Sequence, residues 1–229
     1  RYQDIIVNCL TPEMQAVREA LPKALAENST TFSADSVCPT INMLNTKYFI
    51  LPTQQGGTMP LANPNAYGNA WFVGKVVYAA TAREEMDMLK RIDRRNEAVV
   101  GKDFAAALGN ATELRRDSAD AITLTAYEPN KLTYEVSSAN GGVAVLSEVY
   151  YPGWTAELDG QEIQIARADY VLRAVKVPAG KHTLVLTFDP ASLKTTEAVA
   201  YVAMAVMLLA LVCAAIISLR RRKTAKVKE

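Results

Sequence analysis

The sequence predicts an α+β chain: N-terminal helices and a small α/β layer, an antiparallel β-sandwich of the immunoglobulin or jelly-roll kind, and one C-terminal transmembrane helix. Three observations carry that prediction. Apolar residues recur at helical spacing in the first 45 residues, at a period of two from Ala121 to Phe188, and without interruption from Ala198 to Leu219. The divisions that follow are 1–46 helical, 47–120 α/β, 121–190 sandwich, 198–219 membrane span and 220–229 basic tail.

In the first segment Tyr2, Ile5, Ile6, Cys9 and Leu10 share one helical face. Thr11-Pro12 predicts a fresh helix start, with Thr as N-cap and Pro at the first helical position. Met14, Val17, Leu21 and Leu25 continue the apolar stripe, and Pro22 predicts a kink or an end. A polar loop from Asn28 to Asp35 precedes a short helix holding Ile41 and Leu44. Tyr48-Phe49-Ile50-Leu51 then reads as a buried strand, and Gln55-Gly56-Gly57-Thr58 as a hairpin tip. Asn63 to Asn69 is loop. Ala70 to Val73 and Lys75 to Tyr78 read as one strand broken at Gly74. Thr81-Ala82-Arg83-Glu84 is a capping box, because a Thr hydroxyl and a Glu carboxylate three residues apart can each accept from the other's end of the first turn. The helix it opens, through Met86, Leu89 and Ile92, leads to a strand at Ala98-Val99-Val100.

From Ala121 the alternation is strand-like. Ile122, Leu124 and Ala126 are followed, across a turn at Pro129-Asn130, by Leu132, Tyr134 and Val136. Val143 to Val149 forms another run. Asp159-Gly160 predicts a two-residue hairpin between Thr155–Leu158 and Gln161–Ile165. Val171 to Val177 and Thr183 to Phe188, joined by Pro178-Ala179-Gly180, complete seven short strands.

The last apolar run decides location. Its 22 residues contain no charge, Pro or Gly; as a helix it reaches about 33 Å, enough to cross the hydrocarbon core of a bilayer. Residues 220–229 carry six Lys/Arg and one Glu, so the formal charge of +1 for the chain conceals a basic tail behind an acidic remainder. The positive-inside rule therefore predicts a cytoplasmic tail and an extracytoplasmic region 1–197. Export of that region with no signal peptide at RYQDIIV leads to the expectation that Arg1 is not the true start and that membrane segments lie upstream. Half the residues are hydrophobic and 21% are charged, which excludes a disordered tail, a collagen-like repeat and a small disulfide scaffold. Cys213 lies within the span. Cys9 and Cys38 are able to pair in an oxidising compartment, although nothing requires it.

Few residues point to chemistry. His182 is the only histidine and has no Cys or carboxylate at metal-ligand spacing. No nucleophile elbow, zinc-protease helix, dinucleotide fingerprint or phosphate loop occurs. Glu84 and Glu85 read as helix N-terminal charge, and Glu157 and Asp159 as a solvated hairpin. Arg91, Arg94, Arg95, Arg115 and Arg116 alternate with acids and read as solvated faces, not a nucleic-acid footprint. Asn28-Ser29-Thr30 and Asn110-Ala111-Thr112 match the glycosylation acceptor pattern, which is short enough to arise by chance. No catalytic residue, metal ligand or cofactor is assigned. The aromatics are the better candidates: Tyr150, Tyr151 and Trp154 sit in a turn at a sandwich end, and Asn65 and Trp71 offer similar sugar contacts. Trp154 and one Tyr filling the core, and Asn65 simply forming a turn, is the competing reading.

A set of motifs in order, RYQD at Arg1, LNTKYFI at Leu44, NPNAYGNAWFV at Asn63, YYPGW at Tyr150 and RADYVLRAVKVPAGKHTLVLTFDP at Arg167, resembles the C-terminal part of the YfhO family of bacterial membrane proteins, especially Bacteroidetes-type members. The resemblance implies a multi-spanning parent similar to lipid-linked-sugar-dependent glycosyltransferases of the GT-C type. It implies a polyprenyl-phosphate sugar as donor, an envelope polymer as acceptor, and catalytic acids in a membrane half upstream of this chain. The expected role is then that of an extracytoplasmic domain and last helix in the plasma membrane, accessory to that half. Its partners would be the bilayer, the upstream membrane domain and an envelope glycan or lipid-linked sugar. The alternative is a non-catalytic carbohydrate-binding or structural envelope module.

Overall fold

The computed structural model describes residues 1–26, 31–33, 37–52 and 56–226. The chain forms two compact units, Arg1–Phe188 and Asp189–Glu229.

The first unit begins with one continuous helical run instead of two helices. Helix α1 (Tyr2–Ile5) passes through a π turn at Ile6–Leu10 into α2 (Thr11–Ala26). The Thr11-Pro12 boundary predicted from sequence is thus internal to the helix. The reason is the π turn: the Thr11 N–H donates to Ile6 O, five residues back, and the Thr11 hydroxyl donates to the same carbonyl. Such a widened turn accommodates a ring that can neither donate to the preceding turn nor fit closely against it. Pro22 likewise lies inside α2, which continues to Ala26. The Asn28-Ser29-Thr30 acceptor pattern, part of the polar loop and Gln55 of the hairpin tip lie outside the described residues. Helix α3 (Pro39–Met43) and the hairpin of β1 (Tyr48–Pro52) and β2 (Thr58–Ala62) pack on α2 around Val17, Phe32, Ile41, Phe49 and Leu61.

The remaining strands build two sheets. A six-stranded sheet has the order β3-β8-β12-β11-β5-β4, with β3 (Ala70–Val73), β4 (Lys75–Ala79), β5 (Glu97–Gly101), β8 (Gly142–Val149), β11 (Ala166–Ala168) and β12 (Leu172–Val177). Its two edge strands, β3 and β4, are separated in sequence by Gly74 alone, so the sheet curls until its edges meet there. One stretch of chain, predicted as a single strand, supplies both ends of the sheet. Strands β4 and β5 are parallel, joined through α4 (Ala82–Leu89), as the α/β layer requires. The α4 cap forms as predicted: Thr81 Oγ accepts the Glu84 N–H at 3.2 Å, and Glu84 Oε2 accepts the Ala80 N–H at 2.7 Å.

A five-stranded antiparallel sheet, β10-β9-β13-β7-β6, faces it, formed by β6 (Ala121–Glu128), β7 (Lys131–Ser138), β9 (Trp154–Leu158), β10 (Gln161–Ile163) and β13 (Gly180–Phe188). Asp159 (φ 51°) and Gly160 (φ 79°) make the predicted tight hairpin, with both residues left-handed. The alternation of side chains sorts the core. Ala70, Phe72, Ala144, Leu146, Val175 and Val177 point into the sandwich against Leu132, Tyr134, Val136, Leu184 and Leu186. Trp71, Val73, Val143, Val145, Leu172 and Ala174 point the other way, into a second core closed by Ile5, Cys9, Met86, Leu89 and Leu108. Cys9 Sγ there lies 3.7 Å from Met86 Sδ, and Cys9 and Cys38 are not joined in a disulfide. The expectation of an α+β chain with a sandwich-like β region is met.

The second unit is a helix, α5 (Ala191–Lys226). Within it Thr195–Ile217 is a 23-residue apolar stretch of mean hydropathy 2.7 with no buried residues. At 1.5 Å per residue it spans about 35 Å, a membrane-crossing length.

Candidate functional site

The turn after β8 and the start of β9 place Tyr150, Tyr151 and Trp154 along one cleft of about 640 Å³ at an end of the sandwich. Gly153, at φ 103°, supplies the reversal that brings Trp154 back beside the two tyrosines. Asp103 and Phe104 from the short helical turn after β5, and Glu162, Ile163, Gln164 and Ile165 from the β10 side, complete most of the lining. The three rings differ in their freedom. Tyr150 packs edge-on against Phe104 at 5.6 Å, and Arg167 stacks on both rings. Trp154 is half-buried, with Phe188 at 5.4 Å and the Arg173 guanidinium 4.1 Å from its ring centroid. Tyr151 is 63% exposed, with the Phe188 ring 6.1 Å from its own. Its face is the one open to a flat apolar ligand surface.

Arg173 comes from β12, where Leu172 and Ala174 face the second core. The period of two therefore turns Arg173, with Val175 and Val177, toward the sandwich. It is 3% exposed. Its Nε donates to Val149 O at 3.0 Å, and its Nη1 is buried without a hydrogen-bond partner. Burial pulls its pKa down, opposed by the charge of Glu148 and by Tyr134. Tyr134 Oη is also buried without a partner, and burial holds its pKa far above the usual phenol value. Sequence reasoning missed Arg173; its signal is a charged residue at an inward register position in an otherwise apolar strand.

The other predicted contact residues stand elsewhere. Trp71 is 6% exposed, packed edge-on against Tyr67 in the second core. Asn65 lies in the loop before β3; its side chain accepts from the Ser33 hydroxyl and its backbone N–H donates to Asn63 Oδ1. That local bonding is the turn chemistry of Asn. The structure therefore brings together Tyr150, Tyr151 and Trp154 and leaves Trp71 and Asn65 out of the cleft.

Two charged groups differ from their sequence reading. Glu85, read as exposed helix charge, is 1% exposed and accepts from Arg1 Nη1 at 2.5 Å, with Arg167 Nη2 at 3.9 Å. It falls on the inward face of α4 beside Met86 and Leu89, and of the two glutamates Glu84 serves the cap. Arg94, read as solvated, is buried. Its Nε donates to Leu89 O, its Nη1 donates to the Thr40 hydroxyl, and Glu13 lies 3.6 Å away. Nearby, Asp169 is fully buried in the β11–β12 turn and accepts the Val99 N–H at 2.9 Å. Burial pushes its carboxyl up to about 7, against the pull of that hydrogen bond and of Arg94. His182, at the start of β13, pairs with Asp159 Oδ2 at 2.6 Å. Asn110, in the second acceptor pattern, is exposed at φ 55°.

No curated protein and no solved structure matches the chain. Residues 110–200 match the family model for bacterial membrane protein YfhO. That stretch runs through much of the sandwich, most of the cleft lining and the first turns of the apolar helix; with that helix it supports membrane association and is consistent with the C-terminal part of the YfhO family.

Proposed function

We propose that this chain is an extracytoplasmic domain with its last membrane helix, and that it holds an envelope glycan for a glycosyltransferase-like membrane half lying upstream in the same protein. The observation that carries this reading is the cleft with the exposed Tyr151 ring, bordered by hydrogen-bonding groups on Asp103, Thr155, Glu162 and Gln164. A sugar presents an apolar face of C–H groups and a rim of hydroxyls. An aromatic platform beside carboxylates and amides matches both surfaces. In this reading the domain positions the acceptor, and catalysis belongs to the membrane half, which would take the sugar from a polyprenyl phosphate. The basic residues after the span support the cytoplasmic side for the tail.

The test is glycan binding by the full-length protein in nanodiscs, measured with envelope oligosaccharides. Tyr151→Ala is expected to weaken binding about tenfold, the effect of losing one stacking ring, while leaving the melting transition in place because the ring is exposed. Binding that is unchanged in Tyr151→Ala removes the cleft from consideration.

A further inference from the structure

We infer that the glycan held in this cleft is anionic, and that a carboxylate or phosphate on the sugar is received by Arg173 while the ring rests on Tyr151. The inference rests on the glycan-contact reading and adds the charge of the ligand to it.

Arginine carries five N–H donors and cannot shed its charge. Here one donor, on Nε, is fixed by Val149 O, and Nη1 has no partner although the side chain is 3% exposed. A buried cation normally has a carboxylate in contact, because uncompensated burial of an ion costs several kcal/mol. The acid that acts on Arg173 is Glu148, half-buried, and no salt bridge joins the two among the described residues. Trp154 gives partial compensation through its ring face at 4.1 Å. What is missing is an oxyanion with in-plane lone pairs, which carboxylates and phosphates supply and sugar hydroxyls do not.

Asp103 and Glu162 oppose an anion, and both lie at the exposed mouth of the cleft. Their charges are screened by water, whereas that of Arg173 acts from a buried position where the effective dielectric is lower. The mouth acids are placed to accept from sugar hydroxyls, and the floor cation to receive the charged substituent. Trp154 stacks on the guanidinium face, so the tryptophan emission should change when a ligand engages Arg173.

The experiment is calorimetric titration of the full chain in nanodiscs with glucose, glucuronate, glucose 6-phosphate and inorganic phosphate. We expect at least one charged sugar to bind about tenfold or more tighter than glucose, as one charge-assisted hydrogen bond predicts. The preference should shrink with added salt and be lost in Arg173→Gln, with Arg173→Lys keeping part of it. Preference for glucuronate identifies a carboxylated glycan and preference for glucose 6-phosphate a phosphorylated one; either supports the inference. Equal affinity for glucose and both charged sugars overturns it and leaves the glycan reading standing. Inorganic phosphate binding as tightly as glucose 6-phosphate, and insensitive to Tyr151→Ala, overturns the sugar contact while retaining the oxyanion. Loss of all four overturns both. The wild-type ranking decides among these outcomes even if the Arg173 variants fail to fold.

Discussion

The two cores on either side of the six-stranded sheet treat buried charge in opposite ways. On the α4 side and in the neighbouring α2–α3 layer, buried Glu85 is met by the more exposed Arg1 and Arg167, and buried Glu13 by buried Arg94. On the sandwich side the interior is apolar and, among the described residues, Arg173 is the one charged side chain buried there. In these pairs each charge is answered by another part of the same chain, while Asp169, buried on the same side, meets burial by holding its proton to a higher pH. The sandwich side leaves a charge unanswered at the edge of a cleft. Buried charge therefore points to a ligand only where the fold supplies no counter-charge.

The strongest way to break this contrast is to remove a partner on the paired side. Arg94→Met should destabilise the first unit by about 3–5 kcal/mol, the usual result of stranding a buried carboxylate and its hydrogen bonds. Glu13 would keep only the Thr40 and Ile41 N–H groups, and Leu89 O and the Thr40 hydroxyl would each lose a donor. Chemical unfolding of the full chain in detergent measures it. A change below about 1 kcal/mol would mean the pair is no more than a surface-like contact.

Asp169 sharpens the same side through pH. Its carboxyl is held up to about 7 when folded, against an ordinary 3.8. Between those values the folded protein binds the extra proton, so its stability should fall as pH rises from about 4 to about 7. Asp169→Asn, which preserves an acceptor for the Val99 N–H and tolerates the left-handed backbone at φ 47°, should flatten that slope. A slope that persists in the variant belongs to another group.

On the sandwich side, Tyr134→Phe is expected to leave stability unchanged or raise it by about 1 kcal/mol, because it deletes a buried hydroxyl that has no hydrogen-bond partner. Loss of stability would show that Tyr134 Oη is satisfied within the fold.

Legibility from sequence followed how local each feature is. The Thr81 cap, the Asp159-Gly160 hairpin, the alternating strands of the sandwich and the apolar helix depend on neighbours within a few residues, and they formed where expected. The closure of the sheet at Gly74 did not show, because it depends on β3 meeting β8 and β4 meeting β5 on opposite sides of a single stretch of chain. The π turn before Pro12 was hidden for a different reason: Thr-Pro marks a helix start unless the preceding turn widens. At the site, the Tyr150–Trp154 turn was visible as a cluster of rings. Their unequal exposure was set by Phe104, Arg173 and Phe188, which are distant in sequence. Charge was the hardest feature to place, since an Arg or Glu reads as solvated until its strand or helix register is known, as Arg94, Glu85 and Arg173 each show.

The smallest effect is expected at the far end of β9 from Trp154, where Asp159 and His182 offer a third case, a charge pair in the open. Asp159 accepts from the imidazole and from the Thr183 N–H, and these hydrogen bonds, that to His182 first, lower its pKa. The same bond to Asp159 raises the pKa of His182. The His182 contribution is present below its unfolded value of about 6.5 and is lost as pH rises through the higher folded value; the Asp159 contribution is lost as pH falls through a value below the ordinary 3.8. The pair is therefore complete only in mildly acidic solution, between those limits. An NMR titration of the single histidine should give a midpoint above the ordinary value, and Asp159→Asn should bring it down. Because both groups meet water, overall stability should hardly change in that variant. A large loss would move this pair into the class of Glu13 and Arg94 and erase the distinction between charges that build the fold and charges that merely decorate it.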